Sequence, residues 1–189
     1  MRRQIPAAAG MLLLFTVLTG LVYPLVVTGV AQVAFHDKSN GSMVDVGGKE
    51  VGSSSIAQEF TGTEYFHPRP SAIAYDPHDS GGANLGPTNP DLLAAIKENA
   101  EAYRSENGLA ADHDVPVDAV TGSASGLDPM ISVANARLQA PRVAEARGLQ
   151  LDRVLDLVDD NTTERALGFL GESGVDVLDL NVALDSLDE

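Results

Sequence analysis

Few residues in this chain could do chemistry, and their spacing removes most of the options. Cysteine is absent, so there is no thiolate nucleophile, disulfide framework or cysteine-based metal site. His67, His78 and His113 are widely spaced, and none has the i, i+4 partner of a zinc-binding helix. Asp76, His78 and Asp79 could together hold a cation, but three polar residues in a Pro-rich stretch read first as solvated turn chemistry. Gly122 to Gly126 approaches the nucleophile-elbow pattern G-x-S-x-G, yet its central residue is Ala124, which argues against an esterase. The phosphate-loop string G-x-x-x-x-G-K-[ST] does not occur. No residue is assigned to catalysis or to a metal.

What remains are loops that could bind. From Tyr65 to Leu92, Pro, Gly, Ser and Asn surround a few aromatics and one cation, Arg69. Pro68, Pro70, Pro77 and Pro87 exclude a long helix or a regular strand, so an ordered irregular loop is expected. Arg69 lies between two prolines that pin its backbone. Its guanidinium either pairs a buried carboxylate or binds a partner. Ser80-Gly81-Gly82-Ala83-Asn84 could offer a nest of backbone N–H groups to an anion such as phosphate. The simpler reading is structural, with glycines at positive φ and Asn84 bridging loop backbone. Ser123 and Ser125, ahead of Asp128, read as a capped turn.

Two long runs carry a resemblance. RPSA-x-x-Y (from Arg69) followed by SGG-x-N-L-G-P-x-N-P-x-L, and later VDAVTGSASGLDPMIS (Val117 to Ser132), resemble the signatures of the C subunit of the Kdp potassium-transporting P-type ATPase. QAPRVAEARGL (Gln139 to Leu149), VDVLDLNVALD (Val175 to Asp185) and the apolar-embedded Tyr23-Pro24-Leu25 follow in family order. One departure is plain: Met130 stands where the family usually has His, so no imidazole role exists there. The resemblance implies a non-catalytic accessory subunit of an ATP-driven potassium importer. It further implies a catalytic-chaperone role that raises the ATP affinity of the ATP-hydrolysing subunit, with ATP as the implied cofactor. Implied partners are a channel-like potassium-binding subunit, a P-type ATPase subunit and membrane lipid. Partner or nucleotide interaction is implied for Arg69, Ser71, Tyr75, Ser80, Gly81, Gly82, Asn84, Ser125, Gly126 and Asp128. The D-K-T-G run that P-type pumps phosphorylate is missing, so the chain is not the energy-transducing subunit. A stand-alone membrane-anchored hydrolase and a surface interaction module are the alternatives.

The net charge is −15, with 17 Asp against 3 Lys. No Lys/Arg cluster exists to neutralise phosphates, which disfavours nucleic acid. The acidity reads as a cation funnel or as adaptation to high salt. In molar salt the Debye length is about 3 Å, and the Asp excess with Lys depletion favours adaptation. With the resemblance, this points to a halophilic archaeon.

The elements that must position the loops are legible in outline. No charged residue occurs from Ile5 to Phe35. The expected organisation is a cytoplasmic N-terminus at 1–6, a retained transmembrane helix at 7–34 and an extracytoplasmic α+β domain at 35–189. Arg2 and Arg3 set the orientation by the positive-inside rule. Pro24 frees a carbonyl that another helix or a hydroxyl could satisfy. In the outer domain, Met43–Val46 and Lys49–Val51 predict a hairpin around Gly47-Gly48. Ser53–Phe60 predicts one or two helical turns, and Val115–Val120 a short strand. Asn89 should cap a helix with Pro90 first, a stripe of Leu92, Leu93, Ile96, Ala100 and Tyr103, and a stop at Gly108. Asp128 is expected to cap a helix that breaks near Pro141 and resumes to Arg147. Leu151, Val154, Leu155 and Val158 mark a further helix. Val175–Leu180 predicts a last strand, with Asn181 capping a final turn. The mixture fits α+β.

Overall fold

The computed structural model describes residues 4–187, so Arg2 and Arg3, which carry the expected orientation, lie outside the described residues. The chain forms two compact units that divide between Met43 and Val44.

The first unit is dominated by one continuous 31-residue helix, Gln4–Ala34. It comprises α1 (Gln4–Val17), a five-residue π-helical segment (Leu18–Val22) and α2 (Tyr23–Ala34). At 1.5 Å per residue it is about 46 Å long, enough to cross a hydrocarbon core of about 30 Å. It begins three residues before the expected boundary. A single turn, α3 (His36–Ser39), follows, and Asn40 Nδ2 closes it by donating to the His36 carbonyl at 2.7 Å.

The expected hairpin follows, β1 (Met43–Val46) and β2 (Lys49–Ser53), and from Val44 onward it belongs to the second unit. Gly47 and Gly48 both have positive φ (62° and 84°), as the favoured two-residue turn demands. Helical turns were expected over Ser53–Phe60, but Ser53 ends β2 and residues 54–60 are irregular. The Ala57 N–H reaches the distant Leu127 carbonyl at 2.9 Å, which takes it out of any local ladder. From Tyr65 to Asn89 the chain is ordered but forms neither helix nor strand. Then α4 (Pro90–Glu106) starts as its sequence requires: Asn89 accepts the Asp91 N–H at 2.8 Å. Of its stripe Tyr103 is buried and Leu93 is exposed.

The expected strand at Val115–Val120 is instead a helical turn, α5 (Val117–Val120). Pro116 precedes it as the cap residue, and the Thr121 hydroxyl closes it on the Val117 carbonyl at 2.7 Å. Asp128 does not cap the next helix. A two-residue strand, β3 (Met130–Ile131), intervenes, and Ser132 caps α6 (Val133–Arg147) by accepting the Asn135 N–H at 3.1 Å. That helix runs through Pro141 without the expected break, and Gly148 ends it at φ 65°. The expected helix follows as α7 (Leu151–Asp160), then β4 (Thr162–Thr163) and β5 (Gly174–Asp176). The last strand stops at Asp176 and not Leu180, because the Asp176 carboxylate accepts the Asp179 N–H at 3.0 Å and starts α8 (Val177–Asp185). Asn181 is therefore inside a helix, not at its cap.

β5 lies between β3 and β4 in a small antiparallel sheet, with Ile131 and Thr162 both opposite Val175. The core packs α6, α7 and α8 on this sheet around fully buried Ala136, Val143, Val154, Val158, Leu180 and Leu184. Phe66, at 0 % exposure, inserts from the irregular segment and ties it to the core. The second unit is thus a small α+β fold.

Candidate functional site

The two singled-out runs, far apart in sequence, meet each other. Arg69 Nη1 donates to Asp128 Oδ2 at 2.8 Å, and Nη2 reaches the carbonyls of Thr121 (3.3 Å) and Gly122 (3.4 Å). Of the two readings left open for Arg69, pairing with a half-buried carboxylate is observed. Asp128 uses its other oxygen to accept the Met130 N–H at 3.1 Å. The Tyr75 hydroxyl donates to the Arg69 carbonyl at 2.8 Å and closes the loop on itself. Burial pushes the Tyr75 phenol up to about 12, with the Glu59 charge adding to the effect.

Ser71 is a hub. Its hydroxyl donates to the Gly126 carbonyl at 2.7 Å and accepts the N–H groups of Tyr75 and Ile73 at 3.1 and 3.3 Å. Around it Ala74 and Tyr75 both take positive φ (51° and 56°), a conformation that non-glycine residues rarely adopt. The Gly81 N–H donates to the Ser125 carbonyl at 2.9 Å, and the Ser80 N–H to Asp79 Oδ1 at 2.7 Å. Two donors of the supposed anion nest are therefore already engaged.

Glycine serves here for a reason other than the expected one. Neither Gly81 nor Gly82 is at positive φ; Asn84 is, at 53°, and its amide donates to the Gly82 carbonyl at 2.9 Å. At Gly82 a Cβ would stand 3.2 Å from the carbonyl oxygens of Ser123 and Ala124. Gly126 combines both needs: φ is 71°, and a Cβ would stand 2.6 Å from Ile73 Cγ1 and 2.9 Å from the Gly81 carbonyl. Ser123 and Ser125 accept the N–H groups of Gly126 (2.9 Å) and Leu127 (3.1 Å), the capped turn expected of them. All ten candidate residues thus belong to one zipped pair of loops.

Two concavities border this junction. A groove of ≈ 390 Å³ runs past Ala72, Gly82, Leu85, Leu92, Ile96 and Ala124, and no ionisable side chain lines it. On the other side Tyr75 faces a ≈ 230 Å³ cleft with Glu59, His67, Tyr103, Glu106 and Gln139. There His67 Nδ1 meets Glu106 at 2.9 Å and Nε2 lies 2.9 Å from the Gly62 carbonyl. The His67 hydrogen bond holds the Glu106 carboxyl below the ordinary glutamate range, against an opposing effect of burial. His78 stays exposed, bonded through its N–H to Asp76 in a turn at 2.9 Å. That bond keeps the Asp76 carboxyl below its usual value. Among the described residues no group of three or more His, Asp or Glu is placed to hold a metal.

The sequence profile of the family described as K+-transporting ATPase, c chain (KdpC), matches residues 5–186. This chain belongs to the KdpC family. It is similar to the potassium-transporting ATPase KdpC subunits of Mycobacterium tuberculosis and Mycobacterium bovis, at 59 % identity over 189 residues, covering 99 % of this chain and 100 % of theirs. The KdpC subunit of Caulobacter vibrioides is 54 % identical over 176 residues, covering 92 % of this chain and 88 % of its own. These relatives are bacterial and give the expected halophilic archaeal origin no support.

In this KdpC-family chain the residues that hold the first loop in place were missed by sequence reasoning. Asn135, Gln139 and Arg142 recur at i, i+4 and i+7 on α6, a buried polar line beside Ala136, Ala140 and Val143. Gln139 brackets the His67 peptide, accepting its N–H at 2.8 Å and donating to its carbonyl at 3.1 Å. Asn181 does the same for Phe66, at 2.9 and 3.0 Å. Arg142 caps the Thr63 and Tyr65 carbonyls at 2.6 and 3.0 Å. Three side chains thereby replace the neighbouring strand that a Pro-rich segment cannot pair with. The available signal was helical spacing of polar residues within an apolar face.

Proposed function

We propose that this chain is the non-catalytic accessory subunit of a high-affinity, ATP-driven potassium import complex. Its helix anchors it in the membrane with the N-terminus cytoplasmic, and the α+β unit lies outside. The observation that carries the reading is the family match across residues 5–186, which spans both the apolar helix and the α+β unit. The partners are a channel-like potassium-binding subunit and a P-type ATPase subunit, with lipid around the helix.

The zipped loops are the docking face. Interface cores are depleted of charge, and the groove along Leu85, Leu92 and Ile96 is free of it in a chain of net charge −15. Catalysis has no support in the site: the hydroxyls of Ser71, Ser123 and Ser125 bond to loop backbone, and His67 faces Glu106 and a carbonyl. ATP is a ligand of the complex, and the subunit raises its affinity through assembly. The engaged N–H groups of Ser80 and Gly81 favour this indirect route over a phosphate nest in the loop.

Affinity purification of the full chain from its native membranes tests the reading. A polytopic channel protein and a P-type ATPase should co-elute with potassium-stimulated ATP hydrolysis. A chain that elutes alone from gently solubilised membranes, or that hydrolyses ATP by itself, would contradict it.

A further inference from the structure

The long helix carries a defect at its centre. Within the π-helical segment Leu18–Val22 the backbone makes an i→i−5 bond, and the Tyr23 N–H reaches back to the Leu18 carbonyl. The next residue, Pro24, has no N–H to give. The Thr19 carbonyl would find its partner in Tyr23 in α register or in Pro24 in π register. One is engaged and the other is empty, so the helical ladder leaves this carbonyl without a donor. The Thr19 hydroxyl is directed the other way, donating to the Phe15 carbonyl at 2.6 Å. Next to it Gly20 leaves the backbone bare: beyond its chain neighbours and the surrounding helix backbone, no atom lies within 4 Å of where a Cβ would stand. Residue 19 is the middle residue of Gln4–Ala34. In a spanning helix that is the bilayer midplane, where no water is at hand and a polar backbone group must be satisfied by protein.

We infer that the Thr19 carbonyl is the acceptor of an interhelical hydrogen bond, whose donor is a polar side chain carried by a transmembrane helix of another subunit packed against Gly20. The inference rests on the subunit reading above. The required partner is specific in chemistry: an apolar helix with one hydroxyl, amide or protonated group at mid-membrane depth. Gly20 admits the close backbone approach that such a bond needs. The π segment is a functional irregularity of a kind common at interaction sites.

Solid-state NMR of the ¹³C-labelled full chain, diluted in lipid alone and assembled in the complex, reads the Thr19 carbonyl directly. It should move downfield on assembly. Pro24→Ala restores the missing N–H; it should place the carbonyl downfield already in the lone chain, insert normally, and weaken recovery with the other subunits about three- to thirtyfold. An intact complex with an unmoved Thr19 carbonyl would overturn this inference alone. So would a carbonyl already hydrogen-bonded in the diluted wild-type chain, or Pro24→Ala assembling like wild type. A wild-type chain recovered with no other membrane protein would overturn the subunit reading, and this inference with it.

Discussion

Asp176 does two jobs that pull its carboxyl in opposite directions. As the cap of α8 it accepts the Asp179 N–H, which favours the ionised form, yet burial outweighs that bond and raises the group from 3.8 to about 6. A carboxyl raised on folding binds protons more tightly in the folded state. Its contribution is fully present below about pH 3.8 and is lost as pH rises through about 6. Asp176→Asn keeps a capping oxygen without the charge. Thermal unfolding of the full chain should show the variant losing the stability decline between pH 4 and 6, and melting above wild type at pH 7. A wild-type pH profile in the variant would refute the assignment. The residue scale was also where the sequence was most easily read. Arg69 was singled out by its flanking prolines, and Ser71, Gly126 and Asp128 by the family resemblance; the structure brings the four together. Their individual bonds were not legible, because a loop's partners are set by tertiary packing and not by local propensity.

At the scale of elements, success followed local determinants. The Asn89-Pro90 start of α4, the Gly47-Gly48 turn and the Val154/Val158 stripe of α7 each rest on a few adjacent residues, and each is present. The errors came from one long-range bond and from local closures that the residue types did not announce. Ala57 gives its N–H to Leu127, and Val117–Val120 coils where β-branched residues suggested a strand. At Val175–Leu180 the apolar alternation concealed a helix whose buried set, Val177, Leu178, Leu180, Asn181 and Leu184, follows helical spacing from the Asp176 cap. The zipped loops depend most on Gly126. Gly126→Ala forces a Cβ to within 2.6 Å of Ile73 and 2.9 Å of a backbone oxygen at positive φ. It should destabilise the fold by about 1–3 kcal/mol, the range for overpacking a tight site. Urea unfolding of the full chain in detergent checks this; an unchanged midpoint would show that the two loops are not in close register.

For the whole molecule, two compact units, a helix long and apolar enough to cross a membrane, and a family match over residues 5–186 describe a subunit of a K+-transporting ATPase. Its acidity is dispersed, and some of it is structural: Glu106 serves His67, and Asp118 accepts the Ser132 hydroxyl at 2.8 Å and the Asn135 amide at 3.0 Å. The sign of the charge could be read from composition, but its structural uses could not. On the proposed reading the loop junction docks the subunit and takes no part in the reaction. Arg69→Ala removes the link to Asp128 and should loosen the docking face, so the measurement that decides it is turnover per intact complex set beside the yield of complex. The yield should fall severalfold, with potassium-stimulated ATP hydrolysis per assembled complex close to wild type. Normal yield with turnover per complex abolished would contradict it and place Arg69 in the mechanism itself.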